Sequence, residues 1–170
     1  MKTLGETDAG EFRAAISALM PQMRGFARFL TRDAARADDL VQESLLRALE
    51  HEAAWEPGTN LRAWIFRILR NAFLDQTRRG GVERRVLGRL PQAATQPARQ
   101  TGAMEVIELG TAIGDLPAAQ REALLLVSAL EFSVAEVAAI TGVPEGTVKA
   151  RVSRARAELV RRLRPPGHDG

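Results

Sequence analysis

Apolar residues recur along most of this chain at helical spacing. Near its C-terminal end Val148, Val152, Ala155, Leu159 and Leu163 fall four, three, four and four residues apart, one stripe along a helix. Thr147, Lys149, Arg151, Arg154 and Arg156 lie off that stripe. A helix from Pro144 to Leu163 is therefore predicted, packed on one face and cationic on another. Upstream, Ser133-Val-Ala-Glu136 reads as a capping box opening a shorter helix that ends near Ile140. Thr141-Gly142-Val143 makes a tight break, and Pro144 suits the first turn of the next helix. Two short helices joined by a glycine-containing turn, the second one basic, form the pattern of a DNA-reading helix-turn-helix. The plainer alternative is an amphipathic terminal helix with a solvated arginine face; the capped first helix and the turn weigh against it.

The same periodicity organises the rest. Phe12, Ile16, Leu19, Met23, Phe26 and Leu30 predict a first helix, with Pro21 expected to kink or break it locally. Thr31-Arg32-Asp33 interrupts the pattern, and Asp33 is a candidate cap. A second helix, about Ala34 to Leu49, turns Leu40, Val41, Leu45, Ala48 and Leu49 inward and gathers Asp39, Gln42 and Glu43 on a polar side. Residues 50–60 form a loop with Trp55 and a Pro57-Gly58 turn, after which Thr59 or Asn60 can cap a third helix. That helix, roughly Leu61 to Arg78, has Leu61, Trp64, Ile65, Ile68, Leu69, Ala72 and Phe73 as its core stripe. Arg62, Arg67, Arg70, Asn71, Arg78 and Arg79 lie on its other face, so that with Trp55 it can grip a nucleic-acid strand; Trp64 belongs to the core.

Gly80-Gly81 is expected to end the first domain. The Arg-, Pro- and Gln-rich stretch beyond it, with Arg84, Arg85, Arg89 and Arg99, reads as a tether whose arginines can track phosphate. A short helix from Met104 to about Ile113 comes next. Pro117 then opens another, to about Leu130, packed through Leu124, Leu125, Val127 and Leu130. Nothing reads as strand. The expected fold is all-α: two small helical bundles, 10–79 and 104–164, joined by a flexible linker at 80–103.

Composition narrows the chemistry. With 45% hydrophobic and 26% charged residues, the chain is globular rather than disordered. It has no apolar run long enough for a membrane span and no signal-peptide core, so no membrane insertion is expected. Cysteine is absent, which excludes disulfides and thiolate metal sites and makes a cytoplasmic location the default. Two histidines leave little for a histidine metal site. Asp38, Asp39 and Glu43 sit where the helix dipole favours acids, and no partner motif makes them catalytic or Mg²⁺-binding. An acidic contact face or a solvated face remains for them. The net charge of +3 hides a local bias: from Glu145 to Arg164 two glutamates oppose seven cations, nearly all arginine, whose planar fork suits phosphate and guanine. No nucleophile–base pair, phosphate loop or metal spacing appears, so the expectation is no enzyme, no cofactor and no small-molecule substrate.

Three collinear stretches carry a resemblance: Ala37-Asp-Asp-Leu-Val-Gln-Glu-Ser-Leu-Leu-Arg-Ala-Leu49, Asn60-Leu-Arg-Ala-Trp-Ile-Phe-Arg-Ile-Leu-Arg-Asn71, and Leu116-Pro117 through Arg156. In that order and spacing the chain resembles a bacterial RNA polymerase sigma factor of the extracytoplasmic-function (ECF) group, whose members keep only the region 2 and region 4 domains. Residues 19–30 and 57–64 look similar to the alphaproteobacterial general-stress subgroup. The resemblance implies that Asp39, Gln42 and Glu43 contact the polymerase core. It places Trp55, Thr59, Asn60, Arg62, Arg67 and Asn71 at the -10 element, with the loop capturing a flipped base during melting. It implies that Glu145, Thr147, Lys149, Arg151 and Arg154 read the -35 element, that the linker runs through the RNA-exit path, and that an anti-sigma factor holds the protein inactive. Two other readings stand beside it. A stand-alone helix-turn-helix regulator would bind a palindromic site without polymerase. A sigma mimic that titrates an anti-sigma factor would have no need of the basic residues kept here.

Overall fold

A computed structural model describes the backbone of residues 4–87 and 103–163, with side chains over 9–81 and 104–163. Its described elements are α1 (Leu4–Thr31), α2 (Ala34–Glu50), a single 3-10 turn (Glu52–Ala54), α3 (Leu61–Leu87), α4 (Ala103–Gly114), α5 (Ala118–Ser128), α6 (Val134–Thr141) and α7 (Glu145–Leu163). All are helical, as expected, and they divide into two compact units at residues 1–93 and 94–170.

In the first unit α1, α2 and α3 pack on one another pairwise. The seam is built from the residues that α1 presents every three or four positions: Phe12, Ile16, Met23 and Phe26 are all buried. Phe26 lies 5.4 Å, centroid to centroid, from Phe66 of α3, and both rings are out of water. Such a pair is worth about 0.5–1.5 kcal/mol beyond its buried area. Phe66 is missing from the expected core stripe of α3; Ile65, Leu69 and Ala72 are buried as expected, whereas Leu61, Trp64, Ile68 and Phe73 are only half-buried. The turn between α1 and α2 is tight. Asp33 caps α2 by accepting from the Arg36 N–H at 2.8 Å, and Thr31 Oγ1 donates to the Ala27 carbonyl at 2.9 Å while accepting from the Asp33 N–H at 3.3 Å.

Two expected breaks do not occur here. Pro21 does not break α1, which runs unbroken from Leu4 to Thr31. The proline is exposed, so its ring stands in solvent, and the backbone donor it removes is one bond in a long helix that the buried residues on both sides hold in place. Likewise α3 does not stop before Gly80-Gly81 but continues to Leu87. Glycine inside a helix costs about 1 kcal/mol and does not forbid it, and no proline intervenes until Pro91. Of the expected linker, 88–102 lies outside the described residues, with Arg89 and Arg99; so do the side chains of Arg84 and Arg85.

In the second unit α7 is the central strut, packing on α4, α5 and α6. Val148, Val152 and Ala155 are buried, Leu159 is half-buried and Leu163 is exposed, so the stripe leaves the core in the last two turns. Leu126 and Phe132 are sealed in the centre instead of the expected Leu125, Val127 and Leu130, which stay half-buried; Leu124 is buried as expected. Phe132 is placed by its own backbone, whose N–H donates to the Leu126 carbonyl at 3.0 Å.

Candidate nucleic-acid and protein interfaces

The helix-turn-helix forms by the local chemistry that its sequence announces. Ser133 Oγ accepts from the Glu136 N–H at 3.2 Å, and the Ser133 N–H donates to Glu136 Oε2 at 2.6 Å, which completes the capping box. Gly142 closes α6 in the left-handed region (φ 72°), its N–H donating to the Ala138 carbonyl at 2.8 Å. A side chain at that φ would be strained. Pro144 lies just outside α7 and accepts the first amides, from Thr147 at 2.9 Å and Val148 at 3.2 Å.

The five expected base-reading residues of α7 do not form one group. At about 100° per residue, Thr147, Arg151 and Arg154 lie within about 60° of one another, while Glu145 and Lys149 flank the opposite side. Thr147 and Arg151 are half-buried; Glu145, Lys149 and Arg154 are exposed. Between the two groups, over residues 145–157, stand only Gly146, Ala150, Ser153 and Ala157. Arg156 joins the Lys149 side and donates to Ser128 Oγ of α5 at 3.3 Å. Beyond the cationic part, Glu158 receives hydrogen bonds from Arg161 and Arg162, and Arg162 reaches Asp115 at 2.8 Å. The bonds from Arg161 and then Arg162 pull the Glu158 carboxyl down to about 2.

In the first unit, α3 also separates its expected contacts. Arg67 and Asn71 are exposed and within about 40° of each other around the helix, and Arg78 falls between them in azimuth two to three turns on. Arg62 is on the other side and half-buried: its Nε donates to Gln22 Oε1 of α1 at 2.8 Å, and its guanidinium carbon stands 5.7 Å from the Phe66 ring centroid. The loop before α3 is held from within. Asn60 is the cap, its Oδ1 accepting from the Ala63 N–H at 3.0 Å, and Thr59 Oγ1 donates to the Glu56 carbonyl at 2.7 Å. Gly58 supplies the positive φ (89°) of the turn. Trp55 is turned inward, half-buried, with its ring 5.5 Å from that of Phe12; Trp64 meets the same phenylalanine at 6.2 Å. The Trp55 Nε1 is buried with no hydrogen-bond partner among the described residues. The tip, Glu56 to Asn60, is exposed.

On α2, Asp39 and Gln42 are exposed, but Glu43 is half-buried and engaged. It accepts from Arg47 and, at 2.6 Å, from Gln76 of α3, while Arg47 also binds Asp75 at 2.8 Å. Burial pushes the Glu43 carboxyl up, and the hydrogen bonds from Gln76 and Arg47 outweigh it, leaving a net lowering. Leu49, expected inside, is 42% exposed, and Leu46 is 61% exposed. With Asp39 and Gln42 these leucines occupy a sector of about 80°. Periodicity does not reveal them, because Leu45, Leu46, Leu49 and Val41 together are more apolar residues than one helical face can bury. No group of three or more metal-ligating residues and no helix long and apolar enough to cross a membrane occurs among the described residues.

Both units have counterparts among known proteins. Residues 15–82 match the family model for sigma-70 region 2, and residues 107–159 match that for sigma-70 region 4. The ECF RNA polymerase sigma factor EcfG of Rhodopseudomonas palustris is 47% identical over 149 residues, covering 86% of this chain and 82% of that protein. ECF sigma factor SigC of Mycobacterium tuberculosis is 35% identical over 154 residues, 89% of this chain and 83% of its own. Among solved structures, the Bartonella quintana sigma factor RpoE, determined with the anti-sigma factor NepR, superposes with a TM-score of 0.80 at 38% identity, covering 92% of this chain and 99% of that one. The PhyRSL–NepR complex of a Sphingomonas species shares the fold, with a TM-score of 0.67 at 19% identity over 91% of this chain and 92% of that one. Two family models in order along the chain, and close relatives over nearly its full length, show that it belongs to the sigma-70 family, in the ECF group of RNA polymerase sigma factors.

Proposed function

We propose that this chain binds the RNA polymerase core through α2, carries it to promoters with -35 and -10 elements, and opens the -10 segment. The observation that carries the reading is the division of labour on its surface. The acid-and-leucine face of α2 suits a protein partner, because exposed leucines ringed by Asp39 and Gln42 would be buried at an interface with a polar rim. The cationic faces of α3 and α7 suit phosphate and base edges.

In this reading Thr147, Arg151 and Arg154 contact one side of the major groove and Lys149 and Arg156 the other. The small residues between them let the helix backbone approach the -35 base pairs. Arg67, Asn71 and Arg78 follow the -10 strand. The exposed tip from Glu56 to Asn60 receives an unstacked base, a step whose cost of a few kcal/mol the pocket must offset. Trp55 serves from beneath by anchoring the loop on Phe12, and Arg62 by tying α3 to α1. Residues 10–87 then act as the core-binding and melting domain and 104–163 as the duplex anchor. An anti-sigma factor controls access to these surfaces, by analogy with the RpoE–NepR complex. The chain supplies recognition and no bond-making chemistry of its own.

The test is binding to purified core polymerase without an inhibitor. Asp39→Arg and Leu46→Glu should each weaken it at least about tenfold while helix content stays unchanged. Wild-type affinity in both variants would remove α2 from the interface.

A further inference from the structure

Glu43, Arg47, Asp75 and Gln76 form a polar network across the α2–α3 seam. Arg47 forks, one nitrogen bound to Glu43 within its own helix and the other to Asp75 of α3 at 2.8 Å; Gln76 returns from α3 to the second Glu43 oxygen at 2.6 Å. Arg78 and Arg79 act on Asp75 electrostatically, and Arg79 also acts on Glu43. Side-chain exposure of 27%, 29% and 38% for Arg47, Glu43 and Asp75 puts the network at the margin of the seam, neither in the core nor free in water.

Its position is informative. Around α3, Asp75 stands about 60° from Arg78 and about 80° from Arg67, so the network grips the helix just beside its DNA-facing stripe. Around α2, Glu43 is about 40° from Asp39, just beside the polymerase-facing sector. Leu40 and Val41 of α2 and Leu69 and Ala72 of α3 are buried and give the packing its adhesion, to which the network adds two directional charge-assisted crossings, Arg47 to Asp75 and Gln76 to Glu43, that hold only at one rotation of α3.

We infer that Arg47 is a positioning residue that fixes the rotation of α3 against α2, and so sets the register between polymerase held on α2 and promoter strand held on α3. This rests on the reading proposed above and adds to it that binding and melting are mechanically joined at one guanidinium. Glu43 then serves the joint and not the polymerase.

The experiment compares the wild-type full chain with Asp75→Asn, Arg47→Asp and the exchanged pair Arg47→Asp/Asp75→Arg, measuring core affinity and open-complex formation with a fluorescent base in the -10 element. In the exchanged pair, an arginine on α3 faces two acids on α2 and the bridge is restored with reversed polarity. Arg47→Asp should keep core affinity within about threefold yet lower open-complex formation about tenfold or more, the exchange should recover most of the loss, and Asp75→Asn should fall between. Asp75→Asn keeps the bond within α2, so it reports even if Arg47→Asp folds poorly. Unchanged opening in Asp75→Asn, equal losses of affinity and opening, or a well-folded exchange that recovers nothing would each overturn the inference. Failure of the wild type to bind core would instead sink the underlying reading.

Discussion

Trp55 shows how a residue's type can mislead about its work. An aromatic beside a Pro-Gly turn looks ready to stack on a base, yet its ring rests on Phe12 and its indole N–H is buried without a partner among the described residues. An unmade buried donor costs about 1–3 kcal/mol, so Trp55→Phe should leave stability unchanged or raise it by about 1 kcal/mol, and promoter opening should persist. Chemical denaturation and an opening assay check both; loss of opening with stability retained would return the indole to the DNA. Glu158 gives a pH test. Its folded pKa of about 2, set first by Arg161 and then by Arg162, lies below the ordinary glutamate value, so its contribution is present above the unfolded pKa and is lost as pH falls through the window down to about 2. Thermal melts of wild type and Glu158→Gln should therefore differ at neutral pH and converge near pH 2. A constant gap would mean that the pairing contributes nothing ionic.

At the scale of elements, the helices are legible in the sequence where a local signal starts or stops them. Asp33, Asn60, Ser133 with Glu136, and Gly142 each perform the capping that their type and place announce. Ser133→Ala should accordingly cost about 1 kcal/mol, measured by urea unfolding. Signals that only weaken a helix mislead: Pro21 and Gly80-Gly81 are tolerated because packing and neighbouring helix formers decide the outcome. Periodicity locates each apolar face to within one residue either side, which is why Phe66 and Leu126 escape it beside correct neighbours. Nor can it say which surplus leucine faces water. Leu46 and Leu49 join the candidate site only because α1 and α3 occupy the rest of α2. The partition of α7 into two flanks, by contrast, follows from 3.6 residues per turn and is implicit in the sequence.

The molecule as a whole joins weak parts. If the unit holding α4 to α7 is the duplex reader proposed above, on its own it should bind promoter DNA weakly, with a steep salt dependence, and never open it. Within that unit, Arg151→Ala should reduce -35 discrimination by about 1–3 kcal/mol if the guanidinium reads a base pair, whereas an equal loss on every sequence would assign it to phosphate. The stand-alone regulator reading predicts the opposite of the first outcome, namely tight binding of a palindrome without polymerase. In the function proposed above, one chain supplies polymerase contact and promoter reading together. Transcription in vitro from a two-element promoter, with core polymerase and the purified chain as the only proteins, tests it most directly. Initiation should depend on both components and on both elements; transcription that is absent, or unaltered by the chain, would contradict the account.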